Sequence, residues 1–170
     1  MASNIEREVL KRNAESIAGN IVKAIKTKPI KRRTKKKGDF TGVVNASGAL
    51  ASSVKIKYTE TGFQIWANDY IDALIFGRKP TTGGGDGAVL RAITRWIPIK
   101  GLTGMNAYAA TSNIHKFGTS IWQYHKGKDS GLLSDAINKS VITKMSAELT
   151  SAFVKSVTEE VSFELNKMVS

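Results

Sequence analysis

Eight of the twelve residues from Lys26 to Lys37 are cations, namely Lys26, Lys28, Lys31, Arg32, Arg33, Lys35, Lys36 and Lys37, and no acid interrupts them. Such a segment cannot enter a core, because each buried charge without a partner forfeits its hydration. It must run over the surface, and any core has to come from the sequence on either side. Pro29 stops a helix from continuing through it, since proline lacks the N–H and restricts the residue before it. Like charges at this spacing repel, so residues 26–40 are expected to form an extended, solvated basic arm.

The arm also accounts for most of the charge. The chain has 26 Lys+Arg and 14 Asp+Glu, a net charge of +12, and without the eight arm cations it would have 18 against 14, or +4. The rest has the composition of a folded protein. With 170 residues and 41% hydrophobic content it can bury a core, and 1–170 is expected to be a single domain. Cysteine is absent, which removes disulfides, thiolate nucleophiles and zinc–thiolate sites. No apolar run approaches the roughly 18 residues of a membrane span. The opening MASNIEREVLKRN lacks the apolar stretch of a signal peptide, so a soluble protein used where it is made is expected, with no membrane partner.

Periodicity places the elements. Ile5, Leu10, Ala14, Ile17, Ile21 and Ile25 predict an amphipathic helix over 4–25, with Ser3 or Asn4 as its cap. Residues 45–53 read as a short helix or turn around Leu50. Val54, Ile56 and Tyr58 alternate with Lys55 and Lys57. Thr59–Gly62 can turn the chain, and Phe63, Ile65 and Ala67 alternate with Gln64 and Trp66, which predicts a β-hairpin over 54–67. A short helix is expected over Tyr70–Phe76. Residues 77–87, GRKPTTGGGDG, read as a glycine-rich loop. A helix over 88–97 is expected to have Asp86 as its N-cap and to stop at Pro98, and another over 106–116 to end at Gly118. Residues 119–130 read as irregular. From Leu133 to Leu165 apolar residues recur every four positions, predicting a C-terminal helical region over 131–168 with a break near Thr150–Ser156, followed by a second helix in preference to a strand. The fold class is therefore α+β: an antiparallel sheet based on a β-hairpin, packed by the N-terminal helix and C-terminal helices, with long loops.

Catalytic chemistry finds few candidates. TTGGGDG has neither the Lys-Ser/Thr of a P-loop nor the spacing of a dinucleotide fingerprint. His115 and His125 stand ten residues apart without a carboxylate at ligand spacing. Asp69 and Asp72 read as a solvated pair or a cap, and Ser156-x-x-Glu159 as a capping box. No serine sits in a nucleophile-elbow context. The expectation is a non-enzyme without cofactor or metal. The arm is a different case, because its local potential attracts anions, acidic surfaces or nucleic acid. No aromatic residue lies among its cations from Lys26 to Lys37, so nucleic acid would be held by its backbone and without sequence preference.

The order of segments resembles the tail-completion, or head–tail joining, proteins of tailed bacteriophages. The resemblance rests on Asn45-Ala46-Ser47-Gly48-Ala49-Leu50 leading through Ser53 into the 54–67 hairpin, then Asn68-Asp69-Tyr70 and Ile75-Phe76-Gly77-Arg78. It continues in Trp96-Ile97, Lys100-Gly101-Leu102, Ile114 to Thr119 and Ser130-Gly131-Leu132-Leu133, and covers about residues 1–150. Leu74-Ile75 replaces the acidic residue that usually precedes the Phe-Gly pair.

The resemblance implies a structural virion protein of the phage neck, assembled in the host cytoplasm. It implies a homo-oligomeric ring, commonly six-fold, at the head–tail junction around the DNA channel, between portal-side and tail proteins. Lys28, Lys31, Arg32, Arg33, Lys35, Lys36 and Lys37 would contact packaged DNA or a neighbouring protein. Arg78, Lys79, Gly83, Gly84 and Gly85 would contact a neighbouring subunit or the tail. Both segments are expected to order only when that neighbour is present. The alternative is an accessory protein that binds nucleic acid non-specifically through the arm.

Overall fold

A computed structural model describes residues 4–43, 48–82, 87–102 and 104–169. The architecture is mixed α+β: helices predominate, with two separate two-stranded antiparallel sheets. Helix α1 spans Asn4–Thr27, two residues beyond the expected end. It buries Ala14, Ile17, Ala18, Ile21, Ala24 and Ile25, the single face that three- and four-residue spacing creates. Its antiparallel partner is the last helix, α7 (Lys139–Val169), so that Ile5 and Val9 lie beside Ala147, Ser151 and Ala152.

The main core lies under α1. Ile17, Ile21 and Ile25 pack with Leu50 and Ala51 of α2 (Ala49–Ser53) and with Ala136. The expected hairpin closes one side of it: β3 (Lys55–Tyr58) pairs with β4 (Phe63–Trp66) in the register Lys55↔Trp66 to Tyr58↔Phe63. Its inward residues Phe63 and Ile65 rest on that core, while Lys55 and Lys57 face solvent. Ser53 Oγ accepts from the Asn68 N–H at 3.0 Å, tying the end of α2 to the exit of the hairpin.

Residues 26–40 depart from expectation. Lys26 belongs to α1, and the remainder is not a free arm. Pro29–Thr34 forms β1 and Gly38–Val43 forms β2, paired antiparallel from Pro29↔Val43 to Thr34↔Gly38. The physical reason is Ile30, the lone apolar residue of the basic run, which is 2% exposed in a second core cluster with Ile121 and Leu132. One buried side chain anchors the strand, and strand parity then sends alternate cations outward. The hairpin is formed in the single chain, so ordering does not wait for a neighbour.

Three further differences have local causes. Residues 119–130, expected to be irregular, contain α6 (Ser120–His125), capped by the Thr119 hydroxyl. Pro98 does not stop α4, which runs Ala88–Ile99. In the last turn proline forfeits only one helical bond, and the Lys100 N–H then closes the end on Trp96 and Ile97 carbonyls. The expected break at 150–156 is also absent: α7 is continuous, and starts at Lys139 behind Asn138, whose side chain accepts from the Val141 N–H. No glycine or proline occurs from 139 to 169, and the turns come earlier, over 131–138. Helices α3 (Ile71–Ile75) and α5 (Ala107–Phe117) fall where expected, α5 capped by Asn106 and ended at Gly118. The proposed Asp86 cap lies outside the described residues. Among the described residues no helix is long and apolar enough to cross a membrane.

Candidate anion-binding face

Pairing of β1 with β2 sorts the basic residues. Arg32 points inward: its Nη2 donates to the Gly42 carbonyl at 3.2 Å, its Nε is buried without a partner, and desolvation lowers its pKa. Lys31 and Arg33 occupy the opposite parity, and Lys35, Lys36 and Lys37 make the turn, closed by the Lys37 N–H donating to Thr34 Oγ1. Lys28, at the junction of α1 and β1, is paired with Asp135 at 2.8 Å and donates to Ser134 Oγ at 2.8 Å.

Arg33 forms a two-pronged pair with Asp39 across the hairpin, Nη2 to Oδ2 at 3.0 Å. These hydrogen bonds raise the guanidinium pKa and hold the Asp39 carboxyl below its ordinary range, helped by the charges of Arg33 and Lys31. The pair is exposed, so its value for stability is small. Its effect is to cancel one cation of the run. Lys31, Lys36 and Lys37 remain turned to solvent.

The hairpin is seated on α6 and the end of α5. His125 Nε2 donates to the Lys31 carbonyl at 3.0 Å, and Arg33 lies 5.6 Å from the Tyr124 ring centre. Lys35 Nζ sits 4.7 Å from the ring centre of Phe117, and Lys116 Nζ lies 5.4 Å from the same ring. The negative face of an aromatic ring attracts cations, so Phe117 gathers one ammonium from the hairpin tip and one from α5.

The segment after α3 arrives at the same place. The Arg78 N–H donates to Thr119 Oγ1 at 2.9 Å, the Thr119 N–H to the Arg78 carbonyl at 3.0 Å, and the Thr81 N–H to the His115 carbonyl at 2.9 Å. Thr81 Oγ1 also hydrogen-bonds His115 Nδ1. Two glycines make this approach possible. Gly77 has φ +75° and a β-carbon there would lie 2.3 Å from the Trp122 backbone nitrogen. Gly118 has φ +77° and its β-carbon would lie 2.7 Å from the Arg78 carbonyl oxygen. Neither position admits a side chain.

The structure thus brings the basic run and Arg78–Lys79 to a common neighbourhood around Phe117. Gly83, Gly84 and Gly85 lie outside the described residues. Sequence reading missed Lys116, Phe117, Tyr124 and Asp39. One signal was available for the first: no acidic residue occurs between Asp86 and Asp129, so this stretch is purely cationic where it is charged. Phe117 lies in the 114–119 segment of the resemblance, but its contact with Lys35 depends on a hairpin distant in sequence.

The face can hold an extended anion by charge and by lysine donors. Among the described residues no group of His, Asp and Glu is placed to hold a metal ion. Elsewhere, an open groove of about 560 Å³ between α1 and the β3–β4 turn is lined by Arg7, Leu10, Lys11, Tyr58 and Glu60, again without groups arranged for bond chemistry. No family model, curated protein or solved structure matches this chain.

Proposed function

We propose that this chain is a structural protein of the phage neck, assembling as a ring at the head–tail junction, where it completes the tail or joins it to the head around the DNA channel. It needs no cofactor and catalyses no reaction. The observation that carries this beyond the sequence resemblance is the meeting of the hairpin tip with Arg78–Thr81 around Phe117. A preformed cationic projection suits contact with an acidic neighbour or with passing DNA. Because the hairpin is already folded, docking costs little further chain ordering.

The second reading, a nucleic-acid-binding accessory protein, is favoured by the solvent-facing lysines Lys31, Lys36 and Lys37. Native mass spectrometry separates the two. A ring component gives a closed oligomer, alone or with portal-side and tail proteins of the same phage, and negligible DNA binding as a monomer. A chain that stays monomeric with those partners present, yet binds DNA in a salt-sensitive way, is the accessory protein. Replacing Lys35, Lys36 and Lys37 together by Gln is expected to impair assembly or tail joining. Unchanged assembly, joining and DNA binding would remove the turn from the proposal.

A further inference from the structure

Helix α7 outruns its partner. Ala152 is its last buried residue, lying near the start of α1, and about 14 residues project beyond Lys155, roughly 21 Å of helix. Val154, Val157, Val161, Leu165 and Met168 follow at three- and four-residue steps, so they form one stripe, and each is between 41 and 78% exposed. Beyond Lys155 the overhang carries Glu159, Glu160 and Glu164 against Lys167, a net charge of −2 on a chain of +12, with Glu159 paired to Lys155 and Glu164 to Lys167 along the helix.

A second uncovered surface has the opposite sign. Helices α4 and α5 pack chiefly on one another, and Ile99, Leu102, Met105 and Tyr108 at their connection are 38 to 74% exposed. This helical hairpin carries Arg91, Arg95, Lys100 and Lys116 and no acid. Contiguous exposed apolar residues of this kind mark interaction surfaces. Two overhangs pairing with each other would bring two segments of net negative charge together. The overhang against the α4–α5 hairpin sets apolar on apolar and acid beside base.

We infer that the α7 overhang of one copy docks on the α4–α5 hairpin of the next. The contact uses two different patches, so it is heterologous, and repetition closes into a ring when the rotation allows. It rests on the ring reading given above and names the surfaces that would build it.

Complementation tests it on the full chain. Val161→Gln with Leu165→Gln alters only the overhang, and Leu102→Gln with Tyr108→Gln alters only the hairpin. Each double variant is expected to weaken self-association at least about 30-fold. Mixed one to one, the two variants are expected to form a heterodimer and nothing larger, because a single intact interface remains. Size-exclusion chromatography with light scattering reads the outcome, and far-UV circular dichroism confirms the fold of each variant. If the overhang variant loses helix, Glu160→Lys with Glu164→Lys replaces it, with weaker association again expected. A wild-type chain that stays monomeric, a hairpin variant that associates like the wild type, or a mixture that stays monomeric overturns the inference. Particle incorporation keeps the two proposals apart. A hairpin variant that enters neck complexes as well as wild type defeats the docking alone, whereas a wild-type chain never found with neck partners defeats the ring reading.

Discussion

Lys35 and Lys116 share one aromatic ring, their ammonium nitrogens 4.7 and 5.4 Å from the centre of Phe117 although they belong to a β-turn and a distant helix. The ring offsets part of their mutual repulsion, with an exposed cation–π contact worth about 0.5–1 kcal/mol. Phe117→Leu keeps an apolar side chain and removes the π face. Heparin or duplex affinity is expected to fall about two- to fivefold with little change in Tm. Unchanged affinity in a folded variant would show that the ring does not organise the cations.

Salt dependence counts the cations that meet phosphate. Lys31, Lys35, Lys36, Lys37 and Lys116 are five candidates on this face. If all five engage a duplex, log K should fall with log salt at a slope of about −4.5. Lys36→Gln with Lys37→Gln should reduce it to about −2.7, equally for duplexes of different sequence. A slope unaffected by these two substitutions would place any nucleic-acid contact elsewhere.

The glycines around Trp122 predict a sharp contrast in stability. Gly77→Ala or Gly118→Ala adds a β-carbon to a left-handed backbone and drives it into backbone or indole atoms less than 3 Å away. Each is expected to cost about 2–5 kcal/mol in urea unfolding. Gly19, on the exposed face of α1, has nothing within 4 Å of a β-carbon. Gly19→Ala should stabilise by about 0.5–1 kcal/mol. Similar effects at all three positions would contradict the packing around Trp122.

What could be read from the residues follows from whether its cause was local. The spacing of Ile17, Ile21 and Ile25 marks the buried face of α1, and the alternation from Lys55 to Trp66 marks β3 and β4. The basic run was legible as a surface feature but not as a strand. Its pairing depends on Ile30 finding Ile121 and Leu132, roughly 90 to 100 residues away, a contact that no propensity encodes. Charge repulsion argued for an open arm. It lost because parity spreads the cations over two faces and Asp39 neutralises one of them. The overhang of α7 was hidden for a related reason, since an apolar stripe reads the same whether it is covered or bare.

Glu148 joins the two long helices. Its carboxylate accepts from Asn13 Nδ2 at 2.9 Å and from Arg12 Nη2 at 3.0 Å, and these bonds hold it below the ordinary glutamate range, the Asn13 bond contributing most. A carboxyl whose folded pKa is depressed contributes stability above its unfolded pKa, near 4.3, and loses it as pH falls through the folded value. Asp39, bonded by Arg33, and Asp135, bonded by Lys28, shift in the same direction and add to the acid limb. Glu148→Gln cannot titrate and removes the charge from both contacts. The variant should melt below the wild type at about pH 7, and the gap should close as pH falls below the ordinary glutamate range and through the lowered folded value. Thermal melts across that range decide it. A gap that stays constant with pH would mean that Glu148 acts by shape and hydrogen bonding, not by its charge. The same variant should leave self-association intact, because Glu148 lies on the part of α7 that α1 already covers.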